Sequence, residues 1–187
     1  MSCRSACELR GSRAWLVAIA GAALLAACTE SPVATQSYSY REDVPGLEQH
    51  AASLGPTTVA IYNSPYPNDD VIAAMQGRTP GPQMTFTAKP DASATYRVVM
   101  VFGESHAAPS TYCETPTVTA SPSPSGRLTV TAAFCSGPTI LSDAVARTNA
   151  IASAHDAEFG QLMGDLLSAL LPRNNPLTSP TMGGSGR

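Results

Sequence analysis

Gly103-Glu104-Ser105-His106-Ala107 is the stretch of this chain that most resembles a nucleophile. It nearly matches G-x-S-x-G, the sharp strand-to-helix turn that exposes a catalytic serine, and it follows an apolar, strand-like run. The turn needs a helix behind the serine. Here Ala107-Ala108-Pro109-Ser110 follows, with no helical period. A polar loop leaving a strand accounts for the same residues, so no catalytic residue is assigned, and Ser105 with His106 is kept as the site of an alternative hydrolase reading. His50, His106 and His155 are never three or four positions apart, so no two of them share a helix face as metal ligands. Asp69 and Asp70 are explained by helix capping without a cation. Gly77-Arg78-Thr79-Pro80-Gly81-Pro82 is a turn that lacks the G-K-[ST] ending of a phosphate loop. No metal and no cofactor are expected. Tyr62 and Tyr66, in and beside Asn63-Ser64-Pro65-Tyr66-Pro67-Asn68, form a proline-stiffened aromatic loop. They are the candidate partner surface.

The N-terminal segment carries a different chemistry. Arg4, Arg10 and Arg13 stand against Glu8, and residues 14–25 read AWLVAIAGAALL. Twelve apolar or small residues are too few to span a bilayer, which needs about 20, and they are apolar all round rather than amphipathic. Leu25-Ala26-Ala27-Cys28 closes the run. This order of parts resembles the signal peptide and lipobox of bacterial lipoproteins. The resemblance covers residues 1–28 and implies cleavage before Cys28, a diacylglycerol on its sulfur, and acylation (palmitate or a similar chain) of the new amino group. Two or three chains, at about 0.8 kcal/mol per buried methylene, would anchor the protein durably. Thr29, where an Asp often signals inner-membrane retention, implies the outer membrane and its periplasmic face. The inner membrane stays open, because that sorting rule varies between bacteria.

With this resemblance the five cysteines divide: Cys3 and Cys7 leave with the signal, Cys28 is the lipid site, and Cys113 and Cys135 remain. An even pair in an oxidising compartment reads as a disulfide. The precursor has 11 basic and 14 acidic residues; without the signal's three Arg and one Glu, 8 and 13 remain, a net charge of −5. An acidic chain without basic clusters excludes nucleic acid as a partner.

The elements that must position these residues read as follows. Residues 1–27 are the signal peptide. Residues 28–56 hold the lipidated Cys and a tether: 29–44 is polar and aperiodic, with a flexible reach of roughly 20–25 Å, and 45–54 is a short helix. Residues 57–171 form one domain. Thr57–Tyr62, Met84–Ala88, Tyr96–Phe102 and Leu128–Cys135 read as strands. Tyr96, Val98, Met100 and Phe102 take one face and Val99 and Val101 the other, so that strand is central and covered on both sides. Leu128, Val130, Ala132 and Phe134 oppose Thr129, Thr131, Ala133 and Cys135. The disulfide would therefore tie the Pro- and Ser-rich connection 104–126 to the less apolar face. A helix over 69–76 is capped by Asn68-Asp69-Asp70 and stopped at Gly77. Phe159, Leu162, Met163, Leu166, Leu167, Leu170 and Leu171 form one stripe of a C-terminal helix, preceded by a Ser153/Asp156 capping box and ended by Pro172. Residues 139–152 fit either an irregular strand or a helical turn, and 172–187 read as a disordered tail.

Together these predict an α+β fold, a small antiparallel sheet of about four strands packed against the C-terminal amphipathic helix. The function expected is that of a lipid-anchored envelope protein with a non-enzymatic periplasmic binding or scaffolding role, its partners being the membrane through Cys28 and another envelope protein. The alternatives are an envelope hydrolase and a small-ligand binder using the sheet face of Val99 and Val101.

Overall fold

The computed structural model describes residues 33–36, 43–91, 93–105, 107–114, 118–124 and 126–174. The signal segment, Cys28, His106 and the 175–187 tail lie outside the described residues. In chain order the elements are β1 Val33–Gln36, α1 Val44–Leu54, β2 Thr57–Tyr62, α2 Asn68–Met75, β3 Phe86–Thr87, β4 Tyr96–Phe102, β5 Glu104–Ser105, a 3-10 turn Pro109–Thr111, β6 Ala120–Ser121, β7 Arg127–Ser136, β8 Thr139–Asn149 and α3 Ala157–Leu170. Among the described residues, no helix is long and apolar enough to cross a membrane.

The fold is α+β, with the C-terminal helix on one sheet face, as expected. The sheet is larger than expected and mixed. Six strands run in the order β1-β8-β7-β4-β2-β3, and β5 pairs with β6 separately. β4, β7, β8 and β1 are antiparallel neighbours, whereas β2 is parallel to both β4 and β3. The reason is the α2 crossover, which carries the chain back to the end where β2 began; a parallel neighbour requires such a return. β3 is only two residues long and pairs with Thr57 and Thr58 at the start of β2. The short stretch from Ala88 to Thr95 then suffices to start β4 at the same end.

The alternation along β4 and β7 builds two cores. Tyr96, Val98, Met100, Phe102, Leu128, Val130, Ala132 and Phe134 join the main cluster with Phe159, Leu162, Met163, Leu166, Leu167 and Leu170 of α3, Val71, Ile72 and Met75 of α2, and Val44 and Ala51 of α1. Val99, Val101, Ala133 and Cys135 point the other way, into a smaller cluster with Tyr112, Cys113 and Val118.

Residues 139–149 resolve as a strand of 11 residues, entered through a turn at Gly137, whose φ is +54°. Their period was hidden by a bulge. Phe134 pairs with Ser142 but Cys135 pairs with Ile140, so Leu141 is the extra residue and shares the helix-facing cluster out of turn. Ser142 Oγ donates to Leu170 O at 2.6 Å and satisfies one of the carbonyls left open at the end of α3.

The folded part does not begin at residue 57. β1, inside the stretch expected to be tether, pairs with Arg147 to Ala144 of β8, and α1 buries Val44 and Ala51 in the main core. Two caps also differ. α2 starts one residue earlier than expected, with Pro67 as its N-cap residue and no side-chain cap bond. Before α3 the Ser153 N–H donates to Asp156 Oδ2 at 3.0 Å, but Asp156 is itself the N-cap residue, so the bond closes a turn ahead of the helix rather than a capping box within it.

Candidate functional site

Cys113 and Cys135 are at disulfide distance, with sulfurs 2.01 Å and Cα atoms 5.7 Å apart. Cys135 is on β7 facing away from the helices, and Cys113 follows the 3-10 turn of the 104–126 connection. The bond therefore clamps that connection over the second sheet face. The Arg97 guanidinium donates to Cys113 O and braces the same junction. Val99 and Val101 are 2% and 0% exposed beneath it. The open sheet face that a Val99/Val101 ligand site would need is thus covered by Tyr112, Cys113 and Val118.

Ser105 lies at the rim of this cap. Its Oγ accepts from Ala107 N–H at 3.2 Å, a local turn rather than an elbow opening a helix. The Tyr112 hydroxyl is within hydrogen-bonding reach of the Ser105 and Thr131 side chains. Burial pushes the Tyr112 phenol up, its hydrogen bonds to Ser105 and Thr131 pull the other way, and the buried Asp143 carboxylate adds to the rise. A phenol held protonated is a hydrogen-bond partner for Ser105 and not its base. The 103–107 segment ends its strand at Gly103, whose φ is +101° and whose missing Cβ would stand 2.2 Å from Ser121 O. That glycine serves the close approach of two backbones.

Tyr62 and Tyr66 are not brought together. Tyr62 packs beside the second cluster, and Tyr66 beside the main one, on the opposite face of the sheet. The Tyr66 ring meets Phe159 edge-on at 4.8 Å and Phe102 at 6.3 Å, and its hydroxyl donates to Ile151 O at 2.8 Å. Burial, then the nearby Asp156 carboxylate, raises its pKa. Tyr66 locks the loop 63–67 onto α3 and is half-buried there. His155 Nε2 is 3.7 Å from Asp70 Oδ2 on the surface, and His50 meets Tyr96 edge-on at 5.8 Å. Among the described residues there is no group of three metal-ligating side chains.

The residue that sequence reasoning passed over is Glu48. It is 1% exposed, and its Oε1 has no hydrogen-bond partner among the described residues. Burial pushes its carboxyl up to about 8. It lines a cavity of about 380 Å³ with Pro45, Gln49, Pro80, Gly81, Pro82 and Arg173. The signal was present in the pattern: Glu48 falls four residues after Val44 and three before Ala51, on the apolar stripe of α1. A carboxyl at such a position is buried by its own helix.

No family model and no curated protein matches this chain. Two solved PelC dodecamer structures from Paraburkholderia phytofirmans are similar to it. One is 9% identical with a TM-score of 0.38, covering 76% of this chain and 99% of that one. The other is 10% identical with the same score, covering 75% and 98%.

Proposed function

We propose that this protein is a lipid-anchored envelope protein with a non-enzymatic binding or scaffolding role on the periplasmic face of the outer membrane. The observation that carries the reading is Leu25-Ala26-Ala27-Cys28 behind an arginine-bearing apolar run. The Cys113–Cys135 pair at disulfide distance supports export, since such pairs persist in oxidising compartments. The chemistry around Ser105 gives the hydrolase alternative no support from Tyr112, whose phenol is held protonated.

Changing Cys28 to Ala tests the anchor. The variant is expected in the soluble fraction of cells, unlabelled by radioactive palmitate, and as stable to heat as the parent, because Cys28 precedes β1. A Cys28→Ala protein that stays with the membrane and keeps the label would refute the anchor. A tagged, lipidated protein crosslinked in cells is expected to bring down one dominant envelope partner.

A further inference from the structure

The cavity at Glu48 sets one buried carboxyl among proline rings, with the Pro82 carbonyl accepting from the Thr79 hydroxyl at 2.8 Å. Three of its seven lining residues, Pro45, Pro80 and Pro82, bring ring methylenes and carbonyls but no backbone N–H. The Arg173 guanidinium donates to Pro80 O, so a cationic donor is already seated on this rim. Gly81 leaves room over the carboxyl, since a Cβ there would come within 3.2 Å of Glu48 Oε2. Oε1 lacks a partner, and a buried oxygen without a donor costs on the order of 1–3 kcal/mol. The fold thus places a carboxyl in a hollow large enough for a small ligand, and although Arg173 and Gln49 bring donors to the lining, none of them meets Oε1 among the described residues.

We propose that this cavity binds an organic cation, an alkylammonium or guanidinium group on an aliphatic stem, with Glu48 as its counter-ion. An ammonium brings three N–H donors, enough to satisfy Oε1 and a neighbouring carbonyl together. The proline rings line the path of its methylenes. Among the described residues that line the cavity, Arg173 is the other ionisable side chain, and the ligand takes its place or lies beside it on the Pro80 rim. At neutral pH burial keeps the Glu48 carboxyl protonated. Binding therefore transfers the carboxyl proton to solvent, and the carboxylate that forms is paired with the ligand's N–H groups. The inference goes beyond the anchor reading and does not depend on it.

The test is calorimetric titration of the full-length protein in detergent with n-butylammonium chloride, in two buffers of different ionisation heat. Saturable binding is expected, with about one proton released per ligand near pH 7. Neutral 1-butanol is expected not to compete. Glu48→Gln keeps the shape of the site and removes the counter-ion; because a carboxamide cannot ionise, it is expected to be more stable than the parent near neutral pH, and to bind at least about tenfold more weakly, with no proton released. Gly81→Ala narrows the space over Oε2 and is expected to weaken binding with the fold intact, which keeps the test decisive if the first variant fails to fold. Absence of saturation by n-butylammonium, equal binding by Glu48→Gln, or equal binding of 1-butanol would overturn the proposal. The Cys28→Ala protein is expected to bind n-butylammonium like the parent, so failure of the anchor and failure of this site are read separately.

Discussion

Glu48 makes the stability of this protein depend on pH in a direction that can be worked out in advance. Burial pushes its carboxyl from an ordinary 4.5 up to about 8 in the folded chain. Between those values the unfolded chain has lost the proton and the folded chain keeps it. The folded state binds more protons, so stability falls as pH rises. The contribution is fully present below about pH 4.5 and is lost as pH climbs through about 8. At about 1.4 kcal/mol per pH unit, the loss across this window is on the order of 4 kcal/mol, an upper limit because local opening that wets the carboxyl reduces it. Glu48→Gln isolates the effect. A carboxamide cannot ionise, so the variant should match the parent near pH 5 and exceed it by several kcal/mol near pH 9. Groups common to both proteins cancel in the difference, among them Asp91, held below the usual carboxylate range by the Ser93 hydroxyl and backbone. Urea unfolding of both proteins across that range gives the two profiles. Parallel profiles would mean that Glu48 titrates as an ordinary surface carboxyl, and both the reasoning about its burial and the counter-ion role would fall with them.

Two further outcomes follow from the second sheet face. Replacing Cys113 and Cys135 with Ala, or reducing them, should cost about 3 kcal/mol in urea unfolding by the loop-entropy account, for a separation of 22 residues. Hydrogen exchange should then rise over 104–126 while α3 keeps its protection; an equal loss of protection on both faces would refute the clamp. Gly103→Ala should cost on the order of 3 kcal/mol, because it places a Cβ against Ser121 O in a backbone conformation suited to glycine. A melting temperature unchanged by that substitution would show that the β5–β6 approach is looser than described.

Where side chains alternate without interruption, the fold was legible. Tyr96–Phe102 and the run from Leu128 alternate cleanly, and both their faces and the position of the cap over Cys135 were read from that period. β8 was not legible, because one bulged residue, Leu141, breaks the alternation where Phe134 meets Ser142. β1 has four residues and takes its identity from pairing with β8, which no local pattern reports. The parallel placement of β2 depends on where α2 returns the chain, a tertiary choice that strand spacing does not encode. At the candidate site, the near-motif at Ser105 attracted notice because it resembles a known turn. Glu48 belongs to no motif, and its position on an apolar stripe carries meaning only once Pro80 to Pro82 close over it.

The pairing of β1 also changes what an anchor at Cys28 would do. A tether through residue 44 would leave the domain free to tumble. With β1 in the sheet, a lipid on Cys28 would be separated from β1 by residues 29–32 alone, a reach of at most about 14 Å at full extension. Val33 pairs with Arg147, near the end of β8, and this end of the sheet would be held close to the bilayer. A lipid carrying a paramagnetic headgroup distinguishes the two geometries. In nanodiscs, amide signals of Arg147 to Ile151 should broaden while those of Gly77 to Gly81 stay sharp. Uniform broadening would mean a freely tumbling domain.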